Sequence, residues 1–298
     1  MKKRNITKYT VGAIVLFVCA TLFAGCSTTY KVIQRGDADE IYNLALEKYE
    51  AEEWNKAAKL FTYVSSYYEG TNRDDSIKFF NARSLFKSSS YEIAAESLDE
   101  FRRQYGRSIF LEDAEGMFTL CYYYMAPGPT RDSAMITNAI MVINEFLSRY
   151  PNSAQAGVFT ELREELIARL HEKSFANAYT YYKTEYYKSA IIAFKNALRE
   201  YPDSKYREQI SYYTVASAYE LATKSVMSKK EDRFLDMIDS YYTFIAAYPE
   251  SEYRDEVDRM LKKANNYIDS KAKGEEIETD SKAREKREPK REKQEKNL

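Results

Sequence analysis

Five times along the chain a helix-forming stretch runs out in a tyrosine, and a Ser or Thr follows three residues later. The segments are Tyr68-Glu-Gly-Thr71, Tyr105-Gly-Arg-Ser108, Tyr150-Pro-Asn-Ser153, Tyr201-Pro-Asp-Ser204 and Tyr248-Pro-Glu-Ser251. The tyrosines stand 37, 45, 51 and 47 residues apart, room for two helices per step. The Pro or Gly that follows stops one helix, and the Ser or Thr is placed to cap the next. Units of this kind bury their apolar faces only by stacking on one another. The expectation is therefore an all-α fold, an α-solenoid of about five helix pairs, an architecture whose usual work is to hold other molecules.

Between Thr28 and Ile268, small and aromatic residues fall at separations that resemble the tetratricopeptide pattern, in which paired helices pack through a small residue in each and a Pro closes the unit. Ala45, Ala57 and Phe61 mark the first unit, and Ala82, Ala94 and Leu98 the second. The fourth matches at five positions: Ala178, Ala190, Phe194, Ala197 and Pro202. Alanine lets two helices approach closely, while Phe61, Phe101, Phe146, Phe194 and Phe244 are expected to fill the space between layers. The third and fifth units depart from the simple form. Ala126-Pro127-Gly128-Pro129-Thr130 breaks the third, and Ser228-Lys229-Lys230-Glu231-Asp232 is expected to separate the helices of the fifth.

The two ends of the chain lie outside that pattern. Lys2, Lys3, Arg4 and Lys8 precede an apolar run from Val11 to Phe23, about 13 residues and so short of the roughly 20 that cross a bilayer. Residues 1–25 are expected to be a signal peptide. Phe23-Ala24-Gly25-Cys26 resembles the lipobox of bacterial lipoproteins, which implies a lipid on Cys26, a tethered linker over 26–35 and an attachment to the membrane surface. Ser27 and the absence of a following acidic cluster imply, by the same resemblance, an outer-membrane anchor facing the periplasm. The solenoid is expected over 36–270. The segment 271–298 has ten Lys or Arg, eight Asp or Glu and no aromatic residue, so it is expected to be a disordered charged tail.

Charge and chemistry exclude several classes of function. Losing residues 1–25 would take the formal charge from -1 to about -5, which leaves no basic footprint for nucleic acid. The only histidine, His171, is expected at the start of a helix with Glu172 beside it, an unpromising base for a catalytic triad. The nine glycines form no phosphate-binding loop, and no His or Cys cluster has metal-ligand spacing. With Cys19 in the signal and Cys26 lipidated, Cys121 is the one thiol left, in the apolar stretch Met117 to Met125, and is expected to be buried core. The chain reads as a non-enzyme without metal or cofactor.

Tyrosine is the unusual quantity: 28 residues, with doublets at 67–68, 181–182, 186–187, 212–213 and 241–242. Adjacent helical positions point about 100° apart, so one member of a doublet packs inside while the other meets the surface. If the first helix of each unit lines a concave groove, that groove includes Tyr42, Tyr49, Phe79, Arg83, Phe86, Tyr179 and Tyr182. Aromatic rings with an arginine suit an extended peptide carrying aromatic side chains and a carboxylate.

A lipobox, five tetratricopeptide-like units, Tyr-Pro-[Asn/Asp/Glu]-Ser junctions with Ser204-Lys-Tyr-Arg207 and Ser251-Glu-Tyr-Arg254, and a proline-rich break in the third unit together resemble the BamD family, outer-membrane lipoproteins of the β-barrel assembly machine. The resemblance covers roughly Cys26 to Ile268. It implies a non-enzymatic scaffold whose C-terminal units dock on the POTRA domains of a BamA-like barrel protein and whose N-terminal units receive the C-terminal targeting strand of unfolded outer-membrane proteins. Placed on this chain, the substrate end is Tyr42, Tyr49, Phe79, Arg83 and Phe86, and the docking end is Tyr212, Tyr219, Arg233 and Tyr241. An alternative is a glycan- or nutrient-binding lipoprotein that pairs with a TonB-dependent transporter; such proteins carry tryptophans in long insertions, whereas the one tryptophan here, Trp54, lies inside a repeat.

Overall fold

The computed structural model describes residues 31–128 and 133–272. The signal peptide expected over 1–25, the lipidation expected at Cys26, Pro129 and Thr130 of the proline-rich break, and the tail beyond residue 272 lie outside the described residues. A short helical run at 31–35 leads into α1 (Ala38–Glu50), α2 (Trp54–Ser65), α3 (Asp74–Lys87), α4 (Tyr91–Gln104), α5 (Leu111–Met125), α6 (Ala134–Arg149), α7 (Ala156–Lys183), α8 (Tyr187–Glu200), α9 (Arg207–Thr223), α10 (Met227–Ala247) and α11 (Arg254–Ala272). No strand occurs among the described residues. The helices form five successive pairs with α11 added after the last, the all-α solenoid plan that the repeat requires.

The chain divides into two compact units between Ile167 and Ala168, within α7. In the first unit each helix packs on the next, and α3 also meets α5. Ala45, Ala57, Leu60 and Phe61 share one apolar cluster with Ile41, Val64 and Ile77; Ala82, Ala94, Leu98, Phe101, Phe118 and Cys121 share another. In the second unit α9 packs on α8, α10 and α11, around Val215, Ala222, Met237, Phe244 and Ala264. Ala178, Ala190, Phe194 and Ala197 cluster with Ile210. The contacts of first helix with first helix, α3 with α5 and α9 with α11, are what stacking of repeats demands. All five interlayer phenylalanines are fully buried.

The five junctions share one geometry. The Ser or Thr N–H donates back to the tyrosine carbonyl at 2.9 to 3.3 Å, and its own carbonyl accepts from the N–H three residues on at 3.1 to 3.2 Å. Its hydroxyl oxygen accepts from the N–H two residues on, at 3.1 to 3.3 Å. The hydroxyl therefore closes a turn one step ahead of the helix and is not its N-cap. Arg73, Phe110 and Tyr206 hold the N-cap positions of α3, α5 and α9, without a side-chain cap. The tyrosines reach back one turn onto the core: Tyr105 onto Phe101 and Tyr150 onto Phe146 at 5.1 Å, Tyr248 onto Phe244 at 5.6 Å.

Within three of the pairs the turn rests on a left-handed residue that is not glycine: Glu52 (φ 56°), Ser89 (φ 60°) and Glu185 (φ 65°). Each lies between the two hydrogen bonds of a Schellman motif. Glu53 N–H donates to Lys48 O at 2.8 Å, Ser90 to Leu85 at 3.0 Å and Tyr186 to Tyr181 at 2.9 Å, with the shorter-range bonds from Glu52, Ser89 and Glu185 inside them. The five residues expected to interrupt the fifth unit are instead helical, part of the first turns of α10. Ser228 to Asp232 contains no Pro or Gly, so its charges sit on a solvated helical face; the chain turns at 224–226, where Val226 is extended (ψ 151°). His171 likewise lies well inside α7 rather than at a helix start, because the apolar period of that helix carries through it. The break after α5 is real, with Ala126 extended (ψ 123°) and Pro127 and Gly128 outside helix.

One buried charge ties α4, α5 and α6 together. Glu115 is 3% exposed, and its carboxylate accepts from Arg102 at 3.3 Å and from Arg149. Arg102 also holds Asp99 at 2.8 Å and lies 4.0 Å over the Phe118 ring, while Arg149 holds Glu145 at 3.0 Å. Two stability predictions follow from these features. Glycine at 52, 89 or 185 removes the left-handed strain and is expected to stabilise the protein by about 0.5–1 kcal/mol per site in urea unfolding, strain relief exceeding the added chain entropy. Glu115→Gln is expected to cost about 2 kcal/mol, because it leaves two arginines facing a neutral amide.

Candidate functional site

The first helices of the second and third pairs, α3 and α5, lie side by side, and the residue just before α7 closes one end of the gap between them. The result is a cavity of about 210 Å³ lined by Phe79, Arg83, Phe86, Lys87, Asp113, Met117 and Gln155. Helical spacing puts Phe79, Arg83, Phe86 and Lys87 on one face of α3, and Asp113 and Met117 on one face of α5. Among the described residues neither Arg83 nor Lys87 has an ion-pair or hydrogen-bond partner, whereas Arg102, Arg149 and Arg73 are all paired. Two cations and one carboxylate, Asp113, stand beside aromatic and thioether side chains, a lining with a net positive charge that suits a ligand with an apolar group beside a negative charge.

The residues assigned from sequence to a substrate end fall in three places. Arg83 and Phe86 line the cavity. Phe79 is 1% exposed and stacks on Phe110 at 4.5 Å, so it is core that forms the cavity's floor and not a groove side chain. Tyr49 lies outside the cavity lining; it packs edge-on against Trp54 at 5.3 Å and Phe80 at 5.1 Å. Burial pushes its phenol up, with the Arg83 charge opposing. Tyr42 is further off, 5.7 Å from Tyr68 and 5.2 Å below the Arg73 guanidinium. Phe86 leads outward into a ring ladder, with Tyr91 at 5.7 Å and the exposed Tyr124 stacked on Tyr91 at 4.8 Å. Lys87, Asp113, Met117 and Gln155 join the lining without a sequence signal of their own as candidates. Lys87 was readable as the residue one turn beyond Arg83; the other three depend on how α5 and the start of α7 pack.

In the second unit the assigned docking residues do not form one surface. Tyr212 is buried and stacks on Tyr253 at 4.1 Å, its phenol pushed far up by burial and then by Glu256. Tyr241 is buried and donates to Asp258 at 2.6 Å. These two are corrections: in each doublet the member chosen is the inward one, while Tyr242 is 60% exposed. Tyr219 is half-buried beside Phe234 at 6.3 Å. Arg233 lines a second cavity, about 410 Å³, with Lys195, Asp236 and Asp239 at its polar side and Ile191, Leu198 and Phe244 at its apolar side. Tyr179 and Tyr182 pack against Tyr213 at 4.8 and 5.0 Å.

The His171 ring lies 4.9 Å from Tyr201, and burial lowers its pKa. Burial pushes the Cys121 thiol up to about 12, leaving it unreactive at neutral pH. Among the described residues no group of three His, Cys, Asp or Glu is placed to hold a metal ion, and no helix is long and apolar enough to cross a membrane.

The profile of a family described as YfiO: Outer membrane lipoprotein matches residues 34–174 and again 168–275. The Rickettsia prowazekii (strain Madrid E) protein named outer membrane protein assembly factor BamD is 22% identical over 261 residues, which covers 84% of this chain and 96% of that protein. Among solved structures, the TPR2AB-domain:pHSP90-complex of yeast Sti1 is similar at a TM-score of 0.37 and 13% identity, over 76% of this chain and 98% of that one. The family match spans both compact units, and the chain belongs to the YfiO family of outer membrane lipoproteins.

Proposed function

We propose that the protein is a non-enzymatic factor in outer-membrane protein assembly, held on the outer membrane by a lipid on Cys26 and facing the periplasm, and that its first unit receives the C-terminal segments of unfolded outer-membrane proteins. The observation that carries this reading is the cavity between α3 and α5, where the unpaired Arg83 and Lys87 stand over Phe79, Phe86 and Met117. A strand that ends in an aromatic residue with a free carboxylate offers the complementary pair of groups. Family membership and the name of the Rickettsia relative support the same assignment. No cofactor is needed beyond the anchoring lipid.

The second unit is then the place for a BamA-like, POTRA-bearing partner. Half-buried Tyr219 and Arg233, with the exposed Leu235 and Tyr242, replace Tyr212 and Tyr241 as the side chains available to it. Capture of the tagged lipoprotein from gently solubilised envelopes is expected to bring down such a barrel at near-equal amounts. A TonB-dependent transporter in its place would favour a nutrient-binding role. For the substrate end, fluorescence anisotropy with a ten-residue peptide ending in Phe is expected to give tighter binding for the free acid than for its C-terminal amide. Arg83→Glu is expected to weaken the free acid about tenfold or more and to abolish that preference, since it replaces attraction by repulsion. Equal affinity of acid and amide for the unmutated protein would defeat the reading.

A further inference from the structure

Gly116 is buried inside α5, at a position where glycine costs helix stability relative to alanine. Packing explains its presence. A Cβ at 116 would stand 2.7 Å from Oε1 of Gln155, closer than a carbon approaches an oxygen, and a tight 3.2 Å from Nε2, so the carboxamide would have to shift. The missing side chain is thus the space in which the Gln155 carboxamide lies, and Gln155 lines the cavity that contains Arg83 and Lys87. Gln155 is itself held by the third junction: its N–H donates to the Ser153 hydroxyl at 3.1 Å, and its carbonyl accepts from Phe159 N–H at 3.1 Å. The backbone of Gln155 is held in this way, while no described residue forms a hydrogen bond with its side-chain amide.

From this geometry, and resting on the peptide-binding reading above, we infer that Gln155 is the residue that pairs with the main chain of the bound peptide, and that Gly116 is the positioning residue that seats it. A carboxamide carries one acceptor and a donor group, the same complement as a peptide unit, so it reads extended backbone whatever the side chains. The division of labour is chemical. Arg83 and Lys87 take the terminal carboxylate, Phe86 and Met117 meet the aromatic ring, and Gln155 fixes the strand's depth and direction.

The test is a double-substitution cycle on the full-length protein, with affinities measured for the free-acid and amidated forms of the same Phe-ending peptide, and thermal unfolding followed alongside. Gln155→Ala is expected to weaken both forms about tenfold while leaving their ratio unchanged, through the loss of two main-chain hydrogen bonds. Gly116→Ala is expected to weaken both to a similar extent by displacing the amide. In the Gly116→Ala/Gln155→Ala double variant the added methyl has nothing to displace, so its affinity is expected to match Gln155→Ala alone. A Gly116→Ala protein that binds as well as the unmutated one overturns the inference, as does a double variant weakened by the product of the single effects. A Gln155→Ala effect confined to the free acid also overturns it, since the amide would then be reading the carboxylate. If the unmutated protein prefers the free acid and Gly116→Ala changes nothing, only this inference fails. If the unmutated protein binds neither peptide, the assignment of the cavity fails with it.

Discussion

A helix pair on its own leaves much of its apolar surface in water, and the contact that removes it here is a phenylalanine from the second helix of each pair, wedged against the next layer. Phe61, Phe101, Phe146, Phe194 and Phe244 are all fully buried, each contributing about 2–3 kcal/mol of transfer free energy. Other features hang on that wedge. Alanines such as Ala57, Ala94 and Ala190 let the helices come close enough for the ring to span two layers. The junction tyrosines 105, 150 and 248 lie on the same rings one turn later, so the end of each second helix is fixed to its own core before the chain turns. In the first unit the first helices α3 and α5, with Gln155, line the cavity between them.

The electrostatics sort the surfaces in the same sense. Most of the conspicuous cations of the first unit are committed internally: Arg73 to Asp39, Arg102 to Asp99 and Glu115, Arg149 to Glu115 and Glu145. Arg83 and Lys87 are left over, on the one face where aromatic and thioether groups are also available. A cation that contributes nothing to the fold is free to contribute to binding. The second cavity is the more balanced of the two: Lys195 and Arg233 share it with Asp236 and Asp239, whereas Arg83 and Lys87 share theirs with Asp113 alone, and a balanced lining is better matched to a mixed polar and apolar protein surface than to a single carboxylate.

Much of the fold was readable from the sequence because it is written in small and aromatic residues at fixed separations, and every alanine and phenylalanine placed by that pattern is buried. The rest depends on helical phase or on packing at a distance. Tyrosine doublets announce that one ring goes inside but not which one, and at 212 and 241 it is the first. Phe79 and Phe80 pose the same ambiguity, with Phe79 the core member. The charged run at 228–232 carries no Pro or Gly, and charge alone does not break a helix. The left-handed turns at Glu52, Ser89 and Glu185 have no glycine to betray them. The roles of Glu115 and Gln155 arise from partners in other helices, and local pattern carries no trace of them.

The edge-on contact between Tyr49 and Trp54 has a practical side. Trp54 is the only indole in the chain, and it sits in the first layer, whereas the phenols are spread along every layer. Excitation confined to the red edge of the absorption band therefore watches one end of the first unit, and excitation at shorter wavelength watches the whole stack. A difference between the two unfolding curves would be an optical record of layers coming apart in sequence, obtained without attaching any dye.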